Sequence, residues 1–135
     1  MRYLLDTNIC IALMKRASEQ LKHEVVAHAA DRIEISVVTV AELAWGALRS
    51  SRRLLAERRL EFMVDRFKPQ PFDESAARAF AEAGEALRQR GLQIGTMDLL
   101  IAAQALSLGA TVVTNNVREF SRVAGLKFVD WTSSG

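Results

Sequence analysis

The apolar positions of the chain fall into short strand-like runs separated by longer stretches with helical spacing. The first run, residues 3–5, is Tyr3-Leu4-Leu5 and stops at Asp6. Residues 7–15 follow with Ile9, Ile11, Leu13 and Met14, the spacing of a helix. A second helix is expected over residues 18–30. It turns Leu21, Val25, Val26 and Ala29 inward and leaves Lys22, His23 and His28 on the surface. The β-branched run 33–35 reads as the second strand. A helix starting near residues 36–39 carries Leu43, Trp45 and Leu48. The next, over residues 51–67, offers Leu54, Leu55, Phe62 and Met63 to the core. Pro69 and Pro71 restrict residues 69–72 to an edge strand or an extended link.

Asp73 is placed to cap a helix that ends near Arg90, with Gly91 as its stop. After a short loop, residues 96–108 are apolar almost all the way round, as in a helix buried on most sides. Residues 111–113 read as a strand, Asn115-Asn116 as a turn, 117–121 as a helical turn and 127–129 as the last strand. A tail runs from Trp131 to Gly135. Strands that alternate with helices predict an α/β fold with a mostly parallel central sheet and helices on both faces.

Composition narrows the class. A chain of 135 residues is expected to be one domain, residues 1–135, with enough length for a core without staples. Half the residues are hydrophobic and a quarter charged, as in soluble globular proteins. The net charge of +2 argues only weakly for an acidic partner. Cys10 is the single cysteine, which excludes an internal disulfide and a cysteine-rich zinc site. Asp6 interrupts the first apolar run too early for a signal peptide, and residues 99–108 are too short to span a bilayer. A reduced, cytoplasmic setting without a membrane partner is the expectation.

Candidate chemistry lies where strands end. In open α/β sheets, ligands bind outside the carboxyl ends of the strands. Asp6, Glu42 and Asp98 each follow a strand or open a helix at that edge. Each has a purely structural use as well. Asp6 suits an N-cap, Thr39 and Glu42 have the spacing of a capping box, and Asp98 suits the first turn of a helix. Together, three carboxylates on one pocket repel unless a cation joins them. Oxygen donors suit Mg²⁺, with Mn²⁺ as a substitute. A fourth polar stretch, Thr114-Asn115-Asn116-Val117-Arg118-Glu119, also follows a strand. It offers Thr114 and Asn116 to water or phosphate and Glu119 as a further carboxylate.

These stretches together resemble the PIN domains, and among them the VapC-type toxins of bacterial toxin–antitoxin pairs. Leu4-Leu5-Asp6-Thr7-Asn8 is similar to that family's opening motif. Ser36-x-x-Thr39-x-Ala41-Glu42-Leu43, Ile94-Gly95-x-x-Asp98-x-x-Ile101-Ala102 and Thr114-Asn115-Asn116-x-x-Glu119-Phe120 are similar to the next three. The resemblance covers almost the whole chain. It implies an α/β/α sandwich and a Mg²⁺-dependent endoribonuclease. It also implies a homodimer and a cognate VapB-like antitoxin that occupies the site, giving a heterotetramer or larger assembly. Asp6 and Asp98 carry over as metal ligands, with Glu42 as a ligand or as the group that orients the nucleophile. Asn116 stands where many PIN domains have Asp, which leaves one or two metal ions open.

On this reading Thr7, Asn8 and Thr114 fix the carboxylates, and water attacks RNA phosphodiesters. Basic residues crowd the stretch from Arg49 through Arg52, Arg53, Arg58, Arg59 and Arg66 to Lys68, opposed only by Glu57, Glu61 and Asp65. Arg49, Arg52 and Arg53 are the candidate RNA contacts; a solvated helix face is the plain alternative. Trp45 and Leu48 suit either an interface or core packing. Two other functions stay open. One is a Mg²⁺-binding, doubly wound phospho-acceptor module without nuclease activity. The other is a structure-specific DNA nuclease.

Overall fold

The computed structural model describes residues 1–133, so Ser134 and Gly135 of the expected tail lie outside the described residues. Five strands form the sheet: β1 (Arg2–Leu5), β2 (Arg32–Ser36), β3 (Pro69–Gln70), β4 (Thr111–Val113) and β5 (Phe128–Val129). Among the described residues seven helices accompany them: α1 (Thr7–Met14), α2 (Glu19–Ala27), α3 (Val37–Arg49), α4 (Arg53–Arg66), α5 (Glu74–Gln89), α6 (Thr96–Leu108) and α7 (Val117–Phe120).

All strand pairs are parallel, in the order β3-β2-β1-β4-β5. Parallel neighbours need a crossover, and helices supply it on both faces. Tyr3 and Leu5 point into one layer with Ile35, Val113, Ile9, Leu21 and Met63. Leu4 and Val112 point into the other, with Ile101, Ala102, Ala105 and Phe120. This period-two division along β1 is what makes its central residues uniformly apolar. The chain steps outward from β1 to β2 and β3, then returns to β4 on the opposite side. The strand order therefore reverses between β1 and β4, and a crevice opens there at the carboxyl edge. The phospho-acceptor alternative belongs with the order 2-1-3-4-5, which this sheet does not have.

Helix boundaries fall within a few residues of expectation. Ser18 and Asp73 cap α2 and α5 through their side chains, and Gly109 ends α6 in the left-handed conformation. The expected inward faces differ in two helices. On α4, Leu54, Leu55 and Phe62 are exposed, Phe62 to 66%, and only Met63 of the four expected core residues is buried. The helix has a second stripe at Ala56, Leu60, Met63 and Phe67, and that stripe meets α1 and α3. On α2, Val26 is exposed because Leu21 and Val25 already cover the sheet, and Ala29 is exposed beyond the end of the helix at Ala27.

His28 is a further correction. It is half-buried, stacked on Trp131 at 4.5 Å between ring centroids and edge-on to Tyr3 at 5.1 Å. Lys22 and His23 are exposed as expected. Trp45 and Leu48 lie outside the core, with Trp45 64% exposed.

Candidate active site

Asp6 stands one residue past β1, beside the crevice. Its backbone N–H completes the pairing with Val113 of β4, and its Oδ1 accepts the Ile9 N–H at 2.8 Å. The residue is thus the N-cap of α1, and its side chain is buried, with 2% of its surface exposed. The structural use foreseen for Asp6 is real, but it employs one carboxylate oxygen. Burial pushes Asp6 above the ordinary carboxylate range. Hydrogen bonds from Thr114 and Ile9 oppose that rise, and the charges of Glu42 and Asp130 add to it.

Thr114, fully buried at the end of β4, accepts the Asn116 N–H through its Oγ1 at 2.9 Å. Its own proton is then directed to Asp6. The hydroxyl links the fourth polar stretch to the first.

Glu42 lies in the second turn of α3. The cap of α3 is Ser36, whose Oγ accepts the Val38 N–H, so the Thr39–Glu42 pair is not a capping box. Instead Thr7 Oγ1 donates to Glu42 Oε1 at 2.7 Å and lies 3.1 Å from the buried Thr39 hydroxyl. Because Thr7 has one hydroxyl proton, Thr39 must donate to Thr7. Two hydroxyls in series hold Glu42 toward the crevice.

Asp98 sits in the first turn of α6. Asn116 Nδ2 reaches both Asp98 Oδ2, at 3.4 Å, and Glu119 Oε2, at 2.8 Å. Asn116 spends its amide protons on two carboxylates, in place of the water or phosphate foreseen for it. Asp98 and Glu119 are also hydrogen-bonded to each other, which places one proton between them. Burial, Glu119, Asp6 and Glu42 push Asp98 up to about 7. Hydrogen bonds from Asp98 and Asn116 lower Glu119.

The arrangement collects negative charge, with Arg122 as a nearby cation whose charge acts on Glu119. Among the described residues, Asp6, Glu42, Asp98 and Glu119 form no ion pair with Lys, Arg or His. Nor do any three His, Cys, Asp or Glu side chains among the described residues stand ready at ligand spacing around one point. The expected convergence is therefore an electrostatic neighbourhood, with Asp98 turned to Glu119. Its donor chemistry, all carboxylate, hydroxyl and amide oxygen, fits a hard divalent cation.

A cleft of about 480 Å³ leads away from these acids between α1, α3 and α4. Glu42 and Asp98 line one part of it; Lys15, Arg49 and Arg59 line another. Asn8 is exposed on its wall and, among the described residues, holds no carboxylate, contrary to its expected role. Of the three arginines proposed for RNA, only Arg49 lines the cleft, its guanidinium 5.4 Å from the Trp45 ring centroid. Arg53 pairs with Glu57 at 2.8 Å, and the exposed Arg52 precedes α4; neither lines the cleft. Lys15 was missed, and Arg59 was counted only in the basic run and not among the candidate RNA contacts, because both reach the site only once α1 and α4 pack. Asp130, one residue past β5, was missed although it repeats the strand-then-acid pattern.

Comparison with known proteins gives the family. The family model described as "PIN domain" matches residues 3–126. Ribonuclease VapC1 of Haemophilus influenzae (strain R2866) is 37% identical, over 98% of this chain and 99% of that protein. The tRNA(fMet)-specific endonuclease VapC of Salmonella typhimurium is 35% identical, over 97% of this chain and 98% of its own length. The crystal structure of VapBC2 from Rickettsia felis bound to a promoter DNA fragment superposes with a TM-score of 0.92 at 32% identity, covering 97% of this chain and 99% of that one.

Proposed function

The chain belongs to the PIN-domain family, alongside VapC ribonucleases, and on that premise we propose that it is a metal-dependent endoribonuclease acting as the toxin of a toxin–antitoxin pair. The observation that carries the reading is the acid cluster at the β1–β4 crevice, continuous with a basic-walled cleft.

Asp6 and Asp98 would hold the cation, for which Mg²⁺ suits the oxygen donors best. A bound divalent cation supplies charge stabilisation at the phosphate and acidifies water. Hydrogen bonds from Thr114 and from the Ile9 N–H keep the Asp6 carboxylate oriented. Glu42, fixed by Thr7, is placed to orient a water or take its proton. Asn116 holds Asp98 and Glu119 together, where Glu119 could add a further oxygen to the cation that Asp98 would hold. Attack by water leaves a 5′-phosphate and a 3′-hydroxyl.

Partner binding follows the same reading. A groove of about 740 Å³ between α1, α2 and α4 is lined by Leu13, Val26 and Phe62 among basic residues such as Arg58 and Arg66. Such a surface suits an apolar segment with acidic flanks, and the partner is a VapB-like antitoxin. Trp45 and Leu48, exposed on α3, suit contact with a second copy in a homodimer. Among the described residues no helix is long and apolar enough to cross a membrane; the setting proposed is the cytoplasm.

The test is cleavage of total and transfer RNA with Mg²⁺ or EDTA, beside Asp6→Asn and Asp98→Asn. Discrete products that need Mg²⁺ and disappear in both variants support the reading. Products ending in 2′,3′-cyclic phosphate, or cleavage unchanged in both variants, overturn it.

A further inference from the structure

Gly46 lies inside α3, where a glycine costs about 1 kcal/mol relative to alanine. Helix glycines usually answer to a neighbour that would collide with a side chain. Gly46 has none: a Cβ built there meets no atom within 4 Å. The backbone is ordinary helix, without positive φ. Its neighbours Ala41, Ala44 and Ala47 show that alanine suits this helix. Nothing among the described residues asks for glycine, and the space its missing side chain leaves opens onto the cleft.

Helical spacing places Gly46 between two kinds of chemistry. Residues 42, 46 and 49 are four and three apart, so they form one ridge of α3. Glu42 stands at the acidic part of the cleft and Arg49 about 10 Å further along the axis, at 1.5 Å per residue. Lys15 and Arg59 line the same cleft from α1 and α4. Arg59 is half-buried, and among the described residues neither it nor Lys15 pairs with a carboxylate. Guanidinium and ammonium groups left without partners beside a carboxylate cluster are arranged for a polyanion that spans both.

We propose that Gly46 is the point of closest approach of the RNA strand to the protein, where a ribose or base rests on bare α3 backbone. Lys15 and Arg59 grip the flanking phosphates on one side of the scissile bond. Strand passage over Gly46 sets the distance between the gripped phosphates and Glu42, which makes it a positioning residue. The proposal rests on the ribonuclease reading and adds the path of the substrate.

The experiment compares wild type, Gly46→Ala, Gly46→Leu and the pair Lys15→Gln/Arg59→Gln, with Arg78→Gln on α5 as a control for removal of a surface charge. Thermal midpoints, cleavage kinetics and the salt dependence of binding to a single-stranded RNA oligonucleotide in EDTA are measured. Gly46→Ala should raise the midpoint by a few degrees while cutting affinity about tenfold. Gly46→Leu should bind at least 100-fold more weakly with a midpoint no lower than wild type. The double variant should lower the salt slope by about 1.4, at about 0.7 for each phosphate that is no longer neutralised.

Full RNA affinity in Gly46→Leu, or an unchanged salt slope, overturns the proposal while wild-type cleavage keeps the ribonuclease reading intact. Loss of antitoxin inhibition with RNA affinity unaltered also overturns it, assigning the bare backbone to a protein segment. Absence of RNA cleavage and binding by folded wild type sinks both readings together.

Discussion

Replacing Asp98 with asparagine should stabilise the metal-free protein and abolish cleavage. Asp98 is pushed from 3.8 up to about 7 by burial and by Glu119, Asp6 and Glu42. Between those pH values the folded protein keeps a proton that the unfolded chain has already released. Stability therefore falls as pH rises from about 4 to about 7, and remains low above that. The full gap corresponds to about 4 kcal/mol at about 1.36 kcal/mol per pH unit. Asp98 is only half-buried and shares its proton with Glu119, so solvent screening reduces this to about 1–2 kcal/mol.

For a chain of 135 residues that is a rise of roughly 3–8 °C in Tm. Thermal melts in EDTA read it directly. At pH 8 Asp98→Asn should melt above wild type; at pH 5, where the wild-type acid holds its proton, the two should coincide. Added Mg²⁺ should raise the wild-type midpoint and leave the variant where it was. An equal or lower midpoint for the variant at pH 8, or the same difference at pH 5, would refute the argument from charge.

Three further outcomes follow from particular contacts. Thr7→Val keeps the shape of the side chain but removes the donor to Glu42, so kcat should fall roughly 10–100-fold with KM little changed in steady-state cleavage. Asp6→Asn should retain the cap on α1 and lose only the charge, whereas Asp6→Ala should also lose about 1 kcal/mol of stability, visible as a lower urea midpoint. Gln104 is fully buried on α6; it accepts the Ser36 hydroxyl and donates to the Gln70 and Pro71 carbonyls. Gln104→Leu strands these groups and should cost about 2–4 kcal/mol in urea unfolding, without a change in kcat for the protein that remains folded.

The strand-then-acid pattern was legible because a parallel sheet leaves its buried strands as plain apolar runs, and Asp6 breaks such a run abruptly. The same clarity failed on α4. Its apolar residues form two overlapping stripes, and the choice of Leu60, Met63 and Phe67 over Leu54, Leu55 and Phe62 is made by α1 and α3, which no local pattern describes. Glu42 shows a subtler loss. Thr39-x-x-Glu42 has the letters of a capping box, but β2 runs on to Ser36 and the helix begins at Val37. That shift of three residues turns both side chains toward Thr7. Lys15 carried no signal, and Arg59 carried only that of the basic run around it, since a single cation gains meaning from what it faces across a cleft.

The placement of so many acids together becomes intelligible from the topology. In an all-parallel sheet every helix that follows a strand starts at the carboxyl edge. The helices α1, α3 and α7 begin there, directly after β1, β2 and β4. Each start carries unpaired N–H groups and the positive end of a helix dipole. Asp6 spends one oxygen on such an N–H, and Glu119 lies in the first turn of α7. Asp98 enters by a different route, from the first turn of α6. These favourable fields offset part of the repulsion among the carboxylates, but the elevated Asp98 shows that they do not offset all of it. The residual repulsion is the driving force for taking up a divalent cation. It predicts that metal affinity should fall when an acid is neutralised, even as the apo fold gains stability.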